Sequence, residues 1–417
     1  MTLTVFLIIA LAVGFYMAWN IGANDVANAF GPSVGSGALT IRKAVVLAAI
    51  CEFCGAFLVG RNVADTIKGG IISPEMFSGD AVVFGLGMVA ALLAAALWLN
   101  IATYLSQPVS TTHAIIGAVI GFAVVRTGPG SVQWAKMGAI AASWIISPLV
   151  GGLLAYVVYR LIRRFVLQSR HPVYMAKAVV PITLGVVVCI LSLSIVYKGL
   201  ARYRLDLPLT TAVPVAVLIG TFVTFAARLT IKARTRSLRV RLGDRYDVVE
   251  SWFGRMQWIT ACYMAFAHGA NDVANAIGPL AGAVQVFSRQ GAALAAKTAV
   301  PPWLLAFGGA GIVVGLGTYG YKVIEAVGKK ITEITPTRGL SAEIGTATTV
   351  LICSKLGLPI STTFVLVGAV MGVGIARGFG ALDLSVIKRI FASWLITIPV
   401  SAIFCAVIFH ILMYLRG

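Results

Sequence analysis

The chain has 417 residues, 59% of them hydrophobic and only 11% charged, with a formal net charge of +19 and a mean hydropathy of +0.94. Soluble domains carry about 25% charged residues, so this composition excludes a soluble globular protein and implies an integral membrane one. Apolar runs of about 20 residues recur with Gly and Pro inside them, which excludes the short alternating strands of a membrane barrel.

The expected fold is an all-α polytopic membrane protein with about 12 spans, some of them broken or re-entrant. The apolar segments fall near 3–19, 41–62, 80–104, 107–126, 134–158, 178–197, 207–227, 256–276, 300–321, 338–355, 358–377 and 386–415. The first has no basic start and no small-residue cleavage site, so it reads as a span rather than a signal peptide. It runs into Gly22-Ala-Asn-Asp-Val-Ala-Asn-Ala29, followed by Gly31-Pro32. The same octapeptide returns at Gly269 to Ala276, followed by Gly278-Pro279, 247 residues further on. Each copy puts one carboxylate, Asp25 or Asp272, at a depth where an ionised group must be paired, hydrated or metal-bound. Gly and Ala suit close helix packing, but packing does not explain Asn-Asp with a second Asn three residues later. On a helical turn Asp25 and Asn28 share a face, as do Asp272 and Asn275. With Asn24 and Asn271, and with carbonyls freed where Gly22, Gly31 and Pro32 are expected to interrupt the helix, they make a candidate all-oxygen cation site. Na⁺ is favoured over H⁺ there, because the neutral Asn oxygens add ligands a proton would not need.

The second segment carries Glu52 in mid-span, with Cys51 and Cys54 on either side. No second Cys pair follows, so the six cysteines read as small buried hydrophobes rather than a metal or redox motif. The fourth segment opens at Gln107-Pro-Val-Ser-Thr-Thr112, and its pattern returns as Pro359-Ile-Ser-Thr-Thr363. A proline presets the first helical turn, and the free N–H groups and hydroxyls after it make an anion-binding concavity. Ser110, Thr111, Thr112, Ser361, Thr362 and Thr363 are therefore the candidate anion ligands. A plain helix cap explains one such stretch; two at matched positions point to a shared anion site. His113 follows the first and Phe364 the second, so the repeat does not require an imidazole. His113 and His268 read as polar neighbours.

Further matches keep the same order. Ala142-Ser-Trp-Ile-Ile146 returns as Ala392-Ser-Trp-Leu-Ile396, and Gly60-Arg-Asn-Val-Ala-Asp65 weakly as Gly320-Tyr-Lys-Val-Ile-Glu325. The chain is thus a duplication, expected as a first repeat over 1–160, two linking spans and a basic loop over 161–255, and a second repeat over 256–417. Arg160, Arg163, Arg164, Arg170 and Lys177 follow the first repeat, and eight basic residues lie in 228–255. Excess Lys and Arg mark the cytoplasmic side. Five crossings counted outward from each basic link put both termini outside and the two halves in opposite orientations, an inverted-topology repeat.

Because the basic residues sit between spans, the net charge sets topology and gives no reason to expect a nucleic-acid partner. There is no Gly-Lys-Ser/Thr loop for ATP phosphates, no nucleophile–base constellation and no histidine-lined metal route. An ion gradient is the expected energy source and an enzyme is not expected. No cofactor is expected beyond Na⁺ as the coupling ion.

At its two Gly-Ala-Asn-Asp-Val-Ala-Asn-Ala stretches the chain resembles the inorganic phosphate transporter family, the PiT phosphate permeases. Gln107-Pro-Val-Ser-Thr-Thr-His113 and Thr335-Pro-Thr-Arg-Gly-Leu-Ser-Ala-Glu343 look like that family's other marks. The resemblance implies uptake of inorganic phosphate with Na⁺ or H⁺, inverted repeats and a homodimer. It also implies that Asp25, Asn28, Asp272 and Asn275 hold the coupling cation near phosphate, with the two Ser-Thr-Thr stretches on the anion. Many members have an acid at the Glu52 position and at its repeat counterpart; here the nearest counterpart is Ala306, so a paired-glutamate mechanism does not carry over. Glu52 and Glu343, the latter near the cytoplasmic mouth with Arg338, remain candidates for coupling or gating. The leading expectation is a Na⁺-coupled phosphate symporter of a cytoplasmic (inner) membrane. The alternatives are an H⁺-coupled phosphate or metal-phosphate symporter and a sulfate permease.

Overall fold

A computed structural model describes residues 2–72, 74–77, 80–104, 109–197, 207–234, 243–288, 299–321, 323–324, 335–378 and 384–416. The expected positions Gln107, Pro108, Lys322, Glu325, Lys329 and Lys330, and residues 235–242 of the basic loop, lie outside these. The described residues are almost all helical, and a single antiparallel bridge, Ile72 to Val132, is the one β pairing among them. In chain order the helices are α1 Leu3–Gly35, α2 Ile41–Val59, α3 Arg61–Gly69, α4 Ala81–Tyr104, α5 Thr111–Thr127, α6 Trp134–Ile162 and α7 Pro172–Val196. They continue with α8 Leu209–Arg234, α9 Arg245–Ser288, α10 Pro302–Gly315, α11 Pro336–Lys355, α12 Thr362–Arg377 and α13 Leu384–Arg416.

Each of the twelve apolar segments is helical, but twelve clean crossings do not follow. Seven helices are long and apolar enough to cross a membrane, or eight if α2 and α3, bent by 61° at Gly60, count as one broken span. Two more, α5 and α12, are short apolar helices of 17 and 16 residues. The rest are α9 and α11, whose polar side chains face protein and not lipid. Every residue from Tyr263 to Val284 in α9 is buried. A helix so enclosed can carry Asn, Asp and His that a lipid-facing one cannot.

The octapeptides do not interrupt their helices. α1 and α9 run unbroken through them, with Pro32 and Pro279 inside. An internal proline still has no N–H for the carbonyl four residues back. Those carbonyls belong to Asn28 and Asn275, so each motif frees one backbone oxygen without breaking the helix. The real breaks come before α5 and α12. The basic loop is also shorter than 228–255: α8 continues to Arg234, and α9 has already begun at Arg245.

Glycines show how the two halves meet. A Cβ on Gly22 would run into the carbonyl of Ile312, and one on Gly269 into that of Glu52. Gly315 is pressed likewise on Trp19 and Gly55 on Phe266. Glu52 and Ile312 stand 260 residues apart, as do Gly55 and Gly315. The residue matching Glu52 in the second half is therefore Ile312 rather than Ala306, and it too is apolar. The short helices behave the same way. Gly117 and Gly121 of α5 lie on Ile398 and Ala402 of α13, while Gly368 and Gly372 of α12 lie on Pro148 and Gly152 of α6. Repeat-matched positions thus make matched contacts with the halves exchanged.

Outside the membrane-spanning segments, Arg416 Nη1 donates to Asp80 Oδ2 at 2.7 Å and ties the end of α13 to the start of α4. Burial pushes the Asp80 carboxyl up, but hydrogen bonding and charge from Arg416 outweigh it and hold Asp80 below the usual carboxylate range. The half-exposed pair stabilises by under about 1 kcal/mol, present at neutral pH and lost as pH falls through the lowered value.

Candidate functional site

The two octapeptides, α5 and α12 converge at one place. The carboxylates of Asp25 and Asp272 and the His268 imidazole offer atoms all within 4.8 Å of one another, and all three are buried. His268 Nε2 lies 2.8 Å from Asp272 Oδ2, and its Nδ1 lies 3.0 Å from Glu52 Oε1. Glu52, His268 and Asp272 form a continuous chain from α2 into the site. His268 is therefore in direct contact with the motif, as its place four residues before Asp272 on one helix allows. The other groups acting electrostatically on Asp25 are Asp272 and Glu52. Three acids face one histidine, with no Lys or Arg among them.

Hydroxyls meet these carboxylates within each half, and the motif amides reach across to the other half. Thr362 Oγ1 donates to Asp272 Oδ2 at 2.8 Å, and Thr111 faces Asp25. Asn28 Nδ2 donates to Thr363 Oγ1 at 2.8 Å. Asn275 Nδ2 lies 3.2 and 3.1 Å from the hydroxyls of Thr111 and Thr112. The motif Asn of each half thus binds the threonines of the other. Asn271 Nδ2 donates to Asp272 Oδ1 at 2.6 Å and to the Ile360 carbonyl at 2.8 Å. Thr112 Oγ1 donates to the same carbonyl at 2.9 Å, which joins the start of α5 to the loop before α12.

Ser110 and Ser361 have a different task. Each is an N-cap whose hydroxyl accepts from the third residue on, His113 N at 3.2 Å and Phe364 N at 3.4 Å. This leaves the N–H groups of Thr111, Thr112, Thr362 and Thr363 in the first turn, outside the helical ladder. Two helix starts carrying partial positive charge therefore open beside two carboxylates. Such a place can hold an anion and cations together.

The two motif copies differ in exposure. Asn271, Asp272 and Asn275 are fully buried, whereas Asn24 and Asn28 are half-buried. Asn24 Oδ1 accepts from Thr103 of α4 at 3.1 Å, so that oxygen is already engaged. The Oδ1 atoms of Asn271 and Asn275 are buried with no hydrogen-bond partner. Oxygens of this kind are the ones a bound cation would use.

Glu343 stands apart from this cluster, near its other end of α1. It is fully buried; Oε1 accepts from Ser33 Oγ at 2.5 Å and Gln257 Nε2 at 3.2 Å, and Oε2 from Thr260 Oγ1 at 2.5 Å. Ser33, Gln257, Thr260 and Thr103 were not among the sequence candidates, because none lies in a repeated motif. His113 packs its ring edge on Trp144 at 4.0 Å and tilts toward Phe364 at 5.2 Å, as a buried aromatic neighbour would. All six cysteines are free thiols, Cys405 buried and the others half-buried.

A family model described as the phosphate transporter family matches residues 21–405. A putative phosphate permease of Pyrococcus horikoshii is 46% identical, with 98% of each chain covered. A putative phosphate permease of Haemophilus influenzae is 42% identical over 97% of this chain and 96% of its own. A chloroplast inorganic phosphate transporter of Arabidopsis thaliana is 45% identical over 94% of this chain and 70% of its own. Among solved structures, that of a sodium-dependent phosphate transporter superposes with a TM-score of 0.91 at 39% identity, covering 98% of this chain and 99% of the other. With the doubled motif in one buried cluster and matches of this extent, the chain belongs to the phosphate transporter family.

Proposed function

We propose that this protein is a secondary active symporter that imports inorganic phosphate together with Na⁺, by alternating access across a cytoplasmic (inner) membrane. The observation that carries this is the pair Asp25 and Asp272, buried together beside the starts of α5 and α12. A phosphate held there would be repelled by both carboxylates, and His268 is the one basic side chain in the cluster. Cations bound with the anion would remove the repulsion, so each would raise the other's affinity. The proposed Na⁺ ligands are drawn from Asn24, Asp25, Asn28, Asn271, Asp272 and Asn275. The strongest are the two carboxylates, the unpartnered Asn271 and Asn275 amide oxygens and the carbonyls freed by Pro32 and Pro279. Hard oxygen donors of this kind suit Na⁺. Phosphate would be held by Thr111, Thr112, Thr362 and Thr363 and their N–H groups, with Ser110 and Ser361 shaping the turn. Glu343, in its neutral cage, is proposed to act in gating.

The test is labelled-phosphate uptake into proteoliposomes, with a sodium gradient and a pH gradient imposed separately at fixed membrane potential. Uptake should follow sodium, and excess sulfate should not compete. Uptake that follows the pH gradient alone would replace Na⁺ by H⁺, a second reading favoured by the Glu52–His268–Asp272 chain, which links three proton-carrying groups at 3.0 and 2.8 Å.

Thr111→Val and Thr362→Val keep the side-chain shape and remove one hydroxyl each. A hydrogen bond to a charged group contributes about 1.5–3 kcal/mol, so phosphate affinity should fall roughly ten- to hundredfold, with little change in unfolding temperature. Unchanged affinity in both folded variants would leave these residues as caps.

The exchanged contacts between the halves support reading 1–160 and 256–417 as inverted repeats joined by the α7–α8 hairpin. The placement of basic residues supports both termini as periplasmic, and the family resemblance supports a homodimer as the assembly. Single cysteines at Thr2 and Arg239 should then be labelled from opposite faces of the membrane. Labelling of both from one face would rule this orientation out.

A further inference from the structure

The α7–α8 hairpin is not part of the duplicated unit, and the transport site described above makes no use of it. The first half of α7, the end of α8 and the start of α9 enclose a wedge between them, a cavity of about 300 Å³. Its walls are apolar, with Leu184 from α7, Ile231 from α8 and Met256 and Ile259 from α9. Thr230 also lines it, but its hydroxyl is already turned back to the Ala226 carbonyl at 2.9 Å. The polar edge is formed by Trp252 and Arg255.

Arg255 is exposed and makes no hydrogen bond or ion pair with a described residue. Its own helix offers no acid a turn away on either side, where Ser251, Trp252, Trp258 and Ile259 stand. Glu250 is engaged elsewhere, accepting from the Thr337 N–H and hydroxyl at 2.9 and 2.8 Å. Lys177 lies one turn before Val180 on the wedge-lining side of α7, and it too has no ion pair among the described residues. The outer faces of α7 and α8 are those of membrane spans, with Leu218 and Phe222 about 70% exposed. What enters the wedge therefore comes from the bilayer, and what meets the unpaired cations should be negative. Basic pockets between spans at the basic face of a membrane protein suit anionic headgroups.

We infer that the wedge between α7, α8 and α9 is a binding site for an anionic phospholipid, its acyl chain against Leu184, Ile231 and Met256 and its phosphate at Arg255 and Lys177. Trp252 lies at the junction of chain and headgroup, the position amphipathic aromatics favour. The site is independent of sodium and phosphate.

Native mass spectrometry of the full-length protein tests this, delipidated in mild detergent without sodium or phosphate and titrated with phosphatidylglycerol or phosphatidylcholine. The wild type should retain phosphatidylglycerol in preference. Each basic residue near a membrane surface contributes about 1 kcal/mol, so Arg255→Gln should weaken retention about fivefold, and Arg255→Lys should largely restore it. Ala227→Trp fills the wedge and should abolish the preference with Arg255 in place. Equal retention of the two lipids by the wild type would overturn the assignment. So would a phosphatidylglycerol preference that survives in both folded Arg255→Gln and Ala227→Trp proteins.

Discussion

Asp272→Asn is expected to abolish sodium-driven phosphate uptake while leaving a folded protein. The side chain keeps its size, but the acceptor that Thr362 and Asn271 bind at 2.8 and 2.6 Å loses its charge. Breaking one partner of a buried, hydrogen-bonded charge pair costs about 2–5 kcal/mol, which is thirtyfold or more in affinity. Beyond that loss, phosphate binding should cease to strengthen with sodium, because the coupling is reciprocal and disappears from both sides at once. Asp25→Asn should behave alike, and less severely, since its half of the site is the more open one. The measurements are uptake in proteoliposomes and phosphate binding with and without sodium. Undiminished sodium-driven uptake in both folded variants would reduce the doubled octapeptide to helix packing.

The second large effect concerns the backbone. Gly269→Val and Gly22→Val should each lower stability by about 1–3 kcal/mol, the range for overpacking a filled interior. Uptake should fall further than that figure suggests. A side chain at Gly269 meets the carbonyl of Glu52, so α2 must move, and Glu52 with it. His268 Nδ1 then loses the 3.0 Å contact that orients it toward Asp272. A side chain at Gly22 pushes instead on Ile312 of α10, with no acid at stake, so Gly22→Val should spare transport relative to Gly269→Val at equal loss of stability. Gly138→Ala is the control, since nothing lies within 4 Å of a Cβ added there. Unfolding temperature and uptake measured on the same preparations separate the two effects. Equal loss of uptake for the two valine variants would remove the special role given to Glu52.

Much of the site can be read in the sequence because the chain states its important stretches twice. A single Ser-Thr-Thr after proline is a helix cap, and Ser110 and Ser361 do act as caps; the second copy distinguishes a site from a cap. Burial of Asp25 and Asp272 also follows from sequence, since apolar runs of membrane length enclose them. Glu343 is a candidate from the sequence, but its cage of Ser33, Gln257 and Thr260 could not be assembled that way. Glu343 and its cage come from three helices, and only Gln257 and Thr260 share a helical spacing.

By itself, the sequence determined the membrane class, the helical segments, the duplication and the identity of the repeated polar groups, because each depends on composition or on order along one chain. Only the tertiary structure decided which half supplies which partner. Asn28 binds Thr363 and Asn275 binds Thr111 and Thr112, an exchange that no spacing encodes because it arises from how the two halves pack. Tertiary structure also decided that α1 and α9 stay unbroken at Gly-Pro. A proline inside a helix removes one hydrogen bond, and whether the chain breaks there depends on what surrounds it. In α9 the surroundings are protein on every side from Tyr263 to Val284. That enclosure keeps the helix continuous through Pro279 and leaves the Asn271 and Asn275 amide oxygens buried without a hydrogen-bond partner.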